Sequence, residues 1–128
     1  MKTVVHSDQP REEWRPGVET RMHVSALNGA TQLCIFEQWV APGAGAPTHT
    51  HLVEEVLTVI AGEADMWIDE EHVVLSHGQA LIVPAGRRHG FRNVWSATLH
   101  MHAVLASPIL EATFDGSPEP VRRWLPPE

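Results

Sequence analysis

Proline and glycine interrupt this sequence so often that long helices have little room. Ten prolines and nine glycines lie among 128 residues, and they separate short runs in which apolar and polar residues alternate, as they do in strands. No stretch keeps apolar residues at helical spacing over three turns. Many short strands at this spacing are typical of an all-β sandwich or closed barrel. The pattern predicts strands at residues 18–26, 31–40, 55–60, 63–68, 72–75, 79–83, 89–94 and 98–106.

The length of the chain fits one domain with its own core. We expect an irregular N-terminal arm at residues 1–17, a barrel at 18–107 and a proline-rich C-terminal arm at 108–128, where the tail reads SPEPVRRWLPPE. Each arm contains a tryptophan, Trp14 in the first and Trp124 in the second. These side chains are predicted either to cover a face of the barrel or to contact a second subunit.

Charge and hydropathy exclude several classes of partner. The formal net charge of -7 would repel a phosphate backbone, so nucleic acid is not an expected partner. The first residues lack the apolar core of a signal peptide, and no later run reaches the roughly 18 apolar residues of a membrane helix. Cys34, the single cysteine, lies in the apolar stretch LCIF and is predicted to be a core residue. We therefore expect a cytoplasmic protein that does not bind membranes.

Histidines point to a metal site. His49 and His51 are one residue apart and would project from the same face of a strand, and Glu55 can return to that face if the chain stays extended or bends once. Taken alone, such a pair is more often ordinary surface. The signal is strengthened by His89 in GQALIVPAGRRHGFRN, which follows a proline-glycine turn that directs the next strand back across the sheet.

Two motifs contain these residues. The first has the pattern G(X)5HXH(X)3-4E(X)6G and runs from Gly43 to Gly62; the second has the pattern G(X)5PXG(X)2H(X)3N and runs from Gly78 to Asn93. Both patterns are met at every specified position, and 15 residues separate them. They resemble the two signature motifs of the cupin superfamily at the spacing that the family uses. The resemblance covers about half of the chain.

The resemblance implies an all-β cupin fold, a double-stranded β-helix or jelly-roll barrel of the small, single-domain type. It also implies that His49, His51, Glu55 and His89 correspond to the family's metal ligands. Three imidazoles and one carboxylate without sulfur suit a divalent manganese, iron, nickel or zinc ion. The alternative is a buried polar cluster without metal, which would need hydrogen-bond partners for all four side chains.

A second His-X-His pair, His100 and His102, follows in TLHMHAVLAS. In cupins the strand after the second motif lines the cavity, so the resemblance makes either histidine a candidate catalytic base or substrate contact. The alternative is a hydrogen-bonded pair on an outer or interface face. Beside His89, Arg87 and Arg88 could receive a carboxylate or phosphate, although a solvated rim is the commoner outcome for such a pair.

These inferences predict a metal-dependent enzyme, of oxygenase, decarboxylase, isomerase or lyase type, that acts on a small polar organic molecule. We expect it to be a homodimer. The alternative is a cupin that binds a sugar or organic acid without catalysis. Cupins of all these kinds share the same ligand set, so the motifs favour a metal-binding fold and do not choose among the reactions.

Overall fold

A computed structural model describes residues 1–127 and consists mainly of antiparallel strands. Two short 3₁₀ helices are also present in this range, at His6–Asp8 and Ala26–Asn28. Neither these helices nor any other described element has the length and apolarity to cross a membrane as a helix. The strands are β1 (Arg11–Arg15), β2 (Val18–Val24), β3 (Cys34–Val40), β4 (Gly45–Thr50), β5 (Glu55–Ala61), β6 (Glu63–Ile68), β7 (Glu71–Ser76), β8 (Ala80–Val83), β9 (His89–Asn93), β10 (Leu99–Leu105), β11 (Leu110–Phe114) and β12 (Val121–Arg123).

The strands form two six-stranded sheets. The first sheet has the order β1-β2-β3-β10-β5-β8 and the second has the order β12-β11-β4-β9-β6-β7. The chain crosses repeatedly between the sheets, which gives the predicted all-β jelly-roll architecture. The crossing places β4, from the first motif, beside β9, from the second, with His49 directly opposite His89.

Alternation along the strands sends one face of each sheet into the core. In β3 and β10 every second residue is buried, beginning with Cys34 and Leu99. Cys34 is 0% exposed, and burial raises the pKa of its thiol to about 12. At neutral pH the thiol is therefore protonated and unreactive, which confirms the prediction of a core cysteine.

The eight predicted strands are all present, with ends that differ by no more than about three residues. The sequence pattern does not predict β1, β4, β11 or β12. Strand β1 reads REEWR and is mostly charged, and β12 has only three residues, so neither shows a clear alternation. Strand β4 reads GAPTHT, a composition typical of a turn, and its pairing with β9 contains a register shift between Ala46 and His49.

Both terminal segments contribute strands to the sheets. Strand β1 pairs with β2, and β11 pairs with β4 on one side and with β12 on the other. The tryptophans of these segments meet on the core residue Phe36, whose ring lies 5.5 Å from that of Trp14 and 5.5 Å from that of Trp124. The expectation that the two tryptophans cover a face of the barrel is thus confirmed.

Candidate metal centre

Four side chains predicted as metal ligands converge inside the barrel. His49 lies near the end of β4, His51 just beyond it, and Glu55 and His89 begin β5 and β9. One candidate ligand atom from each residue lies within 4.8 Å of the others. The residues are 7%, 5%, 3% and 1% exposed, in the order His49, His51, Glu55 and His89. We call this set the metal group.

Hydrogen bonds to the backbone fix the orientation of all three imidazoles. In each ring Nδ1–H donates to a carbonyl oxygen: His49 to Pro47 at 2.7 Å, His51 to Glu111 at 2.8 Å, and His89 to Arg87 at 2.9 Å. A carbonyl oxygen can only accept, so Nδ1 must carry the proton. In the neutral ring Nε2 then keeps a free lone pair, and this is how proteins commonly orient histidines toward a metal.

The charge state of the metal group also suits a cation. Burial opposes ionisation of Glu55, but hydrogen bonds and positive charge from His51 and His89 outweigh it and lower the pKa to about 2. Burial, assisted by repulsion from His89 and His51, lowers the pKa of His49 to about 3. At neutral pH the carboxylate is ionised and the His49 ring is neutral, which are the states that bind metal.

A cavity of about 310 Å³ opens beside the metal group and is lined mainly by apolar and aromatic side chains. Phe91 forms part of its wall. The ring of Phe114 lies 5.0 Å from that of His49. Gln38 contributes the one amide side chain that, within the described residues, lines the cavity, and this amide donates to Thr20. The volume is at the lower end of the range of roughly 300–1,000 Å³ found for small-molecule sites.

His100 and His102 lie on the opposite face of the sheet from this cavity. On β3 they pair with Trp39 and Glu37, which alternate with the cavity-lining Gln38 and therefore face outward. The ring of His100 stacks on Trp39 at 5.2 Å, and its Nε2 lies 2.8 Å from Glu37 Oε2. The expectation that either histidine is a catalytic base or substrate contact in the cavity is corrected, because strand alternation places both on the outer face.

The arginines beside His89 are paired with carboxylates on the exposed rim. Arg87 donates from Nε to Asp69 at 2.8 Å, and Arg88 forms an ion pair with Asp115. Their charges are already compensated, as expected for a solvated rim. The arginines that do line the cavity are Arg15 and Arg123, which sequence reasoning did not single out because β1 and β12 carry no clear strand pattern.

Comparison with known proteins supports the fold and the family. The chain matches the family model described as "Cupin domain" over residues 36–105, which is more than half of its length. It is 27% identical over 114 residues to auxin-binding protein 1 of Arabidopsis thaliana, an alignment that covers 80% of this chain. The aligned region spans only 57% of that relative.

Solved structures with the same fold include enzymes of different activities. The polyketide cyclase RemF of Streptomyces resistomycificus superposes with a TM-score of 0.71 at 23% identity, covering 98% of this chain and 87% of that one. Oxalate decarboxylase of Bacillus subtilis, a protein with Mn(II) centres, superposes with a TM-score of 0.76 at 19% identity, covering 86% of this chain and 31% of that one. These likenesses concern the fold alone. With its family match, its two-sheet barrel and its motifs, the chain belongs to the cupin family.

Proposed function

We propose that this protein is a cytoplasmic, metal-dependent enzyme whose divalent ion is held by His49, His51, Glu55 and His89. The observation that carries the proposal is the orientation of the three imidazoles, each fixed by a backbone carbonyl at Nδ1. Manganese, iron, nickel and zinc all suit this set of ligands. The manganese of the Bacillus subtilis oxalate decarboxylase supports the first of these.

Glu55 is placed to share one cation with two of the imidazoles. Its Oε1 lies 3.4 Å from His51 Nε2 and 3.1 Å from His89 Nε2. With Nδ1 already protonated, a hydrogen bond from Nε2 to Glu55 requires a second proton on the ring, which makes it an imidazolium. A divalent ion takes the place of these protons and neutralises the buried carboxylate, with all four residues as ligands.

When bound, the ion would act as a Lewis acid that polarises an oxygen of the substrate. The chain itself supplies the surroundings of that oxygen. Phe91 and Phe114 form walls that restrict water and orient a substrate, and the carbonyl oxygens of Pro47, Glu111 and Arg87 hold the ligand rings in place. Reactions of decarboxylase, oxygenase, isomerase and lyase type are all compatible with this arrangement.

A second candidate function is binding of a small organic molecule without catalysis. It is favoured by one observation: apart from the metal group, the cavity lining of residues 1–127 contains no histidine, carboxylate or other ordinary acid–base group. An enzyme of this design would rely on the ion and the substrate for proton transfer. Saturable binding of a ligand that is recovered unchanged after incubation with metal-loaded protein would support this alternative.

Elemental analysis of protein purified without a metal-chelating tag tests the metal site. We expect close to one equivalent of manganese, iron, nickel or zinc in the wild type. His49→Ala and His89→Ala should each reduce the metal content at least about tenfold, since each removes one of four ligands. His72→Ala is the matched control, because His72 is exposed and pairs with Asp65 on the outer surface.

Two outcomes would contradict the proposal. In the first, the wild type contains no metal and takes up none of the four ions when they are added. In the second, His72→Ala lowers the metal content as much as the variants of His49 and His89, which would indicate binding at surface histidines. Thermal unfolding of each variant shows whether the protein remains folded, so that metal loss is not confused with loss of structure.

We also propose that the protein forms a homodimer through the outer face of the first sheet. Val24, Ile35, Val104, Val56 and Ile82 lie side by side across five strands of that face. A continuous apolar row of this kind is typical of an interface.

Sedimentation velocity tests the dimer. The wild type is expected at twice the mass of one chain, and Ile82→Lys should shift it to a single chain, because a charge in the row would be buried without a partner. Val73→Lys, at an exposed apolar residue of the second sheet, should leave the dimer intact. A monomeric wild type at all concentrations would contradict the proposal.

A further inference from the structure

Two arginines reach the cavity from the two ends of the chain. Arg15 ends β1 and Arg123 ends β12, and both line the cavity that also contains His49, His51 and Glu55. Phe114 lies between Arg15 and the metal group: its ring is 5.5 Å from the Arg15 guanidinium carbon and 5.0 Å from the ring of His49. One aromatic ring therefore separates a cationic site from the metal group.

The charge of Arg15 is not compensated. Its Nη1 donates to the carbonyl oxygen of Gly45 at 3.1 Å, and no carboxylate of residues 1–127 lies within ion-pair distance of it. Burial, followed by the positive charge of Arg123, lowers the pKa of Arg15. A guanidinium nevertheless stays charged at neutral pH, so this half-buried group costs free energy that an anion would recover.

Arg123 is compensated only in part. Its Nη1 lies 3.9 Å from Glu12 Oε2, and its guanidinium carbon lies 4.4 Å from the ring centre of Trp14. Glu12 also accepts a hydrogen bond from the indole of Trp14 at 3.2 Å. Two cations, of which only Arg123 has a carboxylate nearby, leave this part of the cavity positive, whereas the rim arginines Arg87 and Arg88 are each neutralised by a carboxylate.

Between the arginines and the metal group the walls of the cavity are mainly apolar. Phe36, Leu57, Phe91 and Leu110 form these walls, and the other described lining residues with polar atoms in their side chains are Gln38 and Trp14. A neutral sugar would bury several hydroxyl groups against these walls without partners, at a cost for each. A ligand with a hydrocarbon or aromatic body and one anionic group would instead match both the walls and the arginines.

We propose that the cavity selects an organic anion, a carboxylate with an apolar or aromatic body whose charged group pairs with Arg15 and lies near Arg123. The body packs between Phe36, Leu57 and Phe91, and the far end points toward the metal group. This inference rests on the proposed function for the role of that far end. The pairing with Arg15 requires no metal.

Calorimetric titration with two matched probes tests the inference. The probes are 3-phenylpropionate and its neutral amide, 3-phenylpropionamide, which have nearly the same shape. The wild type should bind the carboxylate on the order of tenfold more tightly than the amide, as expected for a charge-assisted pair. Arg15→Gln should bring this ratio close to one, and Arg15→Lys should restore part of it because the charge is kept.

Three controls accompany these titrations. Arg87→Gln removes an arginine of the exposed rim that is already paired with Asp69, so it should leave the ratio unchanged. Arg123→Gln should lower the ratio less than Arg15→Gln does, because Glu12 already offsets part of its charge. Metal content and thermal stability are measured for every variant, and Arg15→Gln is expected to keep the metal content of the wild type.

The outcomes separate this inference from the proposed function. If the preference for the carboxylate survives in Arg15→Gln and disappears in His49→Ala, the anion binds at the metal alone, and the inference is overturned while the metal site stands. If the preference persists in metal-free protein and is lost in Arg15→Gln, the anion site stands without the metal. If the wild type binds neither probe, or binds both equally, the inference is wrong. If Arg15→Gln fails to fold, Arg15→Lys and Arg123→Gln decide the question.

Discussion

Replacing Gly45 with alanine is expected to lower the free energy of unfolding by about 3 kcal/mol, the upper part of the range for overpacked positions. A Cβ atom added at Gly45 would lie 2.0 Å from the carbonyl oxygen of Phe91 and 2.8 Å from Cα of Arg92. Both are backbone atoms of β9, so no side-chain rotation relieves the overlap. The strands β4 and β9 must move apart, and with them His49 and His89.

The same substitution should therefore also reduce metal binding, measured as metal per chain in the folded fraction. Gly43→Ala is the matched control. Gly43 has a positive φ of 81° but no atom within 4 Å of the added Cβ, so its expected cost is only the strain of a left-handed backbone, about 1 kcal/mol. Urea unfolding compares the two variants. Equal losses of stability would show that the close approach of β4 and β9 is not what requires glycine at position 45.

This contrast illustrates what the sequence pattern detects. Gly43 is a specified position of the first motif, whereas Gly45 occupies one of its unspecified positions and lies in a segment that reads as a turn. Its importance comes from the approach of β9, whose Phe91 and Arg92 are 46 and 47 residues away in the chain. Close contact between backbones that are distant in the chain leaves no periodic pattern in the sequence. The motifs therefore identify Gly43 but do not identify Gly45.

The four residues of the metal group were predictable because the spacing within the two motifs indicates which side chains meet in the barrel. His51 and Glu55 are close in the sequence, so a short stretch of chain fixes the position of one relative to the other. The structure brings them together as expected. The orientation of their rings was not predictable. It depends on the carbonyl oxygen of Glu111, on β11, a strand for which the sequence gives no clear alternation.

The expectation for His100 and His102 is wrong for a related reason. Alternation shows that the two histidines share a face, but it does not say which face of the sheet points inward. On β10 the inner face belongs to Met101 and Ala103, which are almost fully buried. Arg15 was missed because four of the five residues of its strand are charged, so burial of one guanidinium is visible only after β1 has been placed beside β2.

Asn93, the last residue of the second motif, holds a strand end to a neighbouring loop. It is 1% exposed. Its Nδ2 donates to the carbonyl oxygens of Val40 and Ala97, both at 2.9 Å, and its Oδ1 accepts from the backbone N–H of Trp95 at 2.7 Å. The amide thus joins the end of β9 to the end of β3 and to the loop before β10.

Asn93→Asp is accordingly expected to lower the free energy of unfolding by about 3 kcal/mol at neutral pH. The change keeps the shape of the side chain but replaces two N–H donors with an oxygen that faces two carbonyl oxygens. Ionisation of the new carboxyl group would be opposed by burial and by these oxygens, so its pKa in the folded state should lie above the unfolded value of about 3.9. Protonation restores one donor, and the deficit against the wild type should therefore shrink as the pH falls through that raised pKa.

Gln79→Glu is the matched amide-to-acid control for chemical denaturation at pH 7 and pH 4.5. Gln79 is exposed, and the hydrogen bonds of its side chain use only Oε1, which accepts from the backbone N–H and the hydroxyl of Ser76. The control should cost less than about 0.5 kcal/mol, as is usual at exposed positions. If both variants lose the same stability, or if the deficit of Asn93→Asp grows at acid pH, the two donations from Nδ2 do not hold the strand end. A large loss confined to Asn93→Asp would instead make this amide a structural requirement of the barrel that supports the metal group.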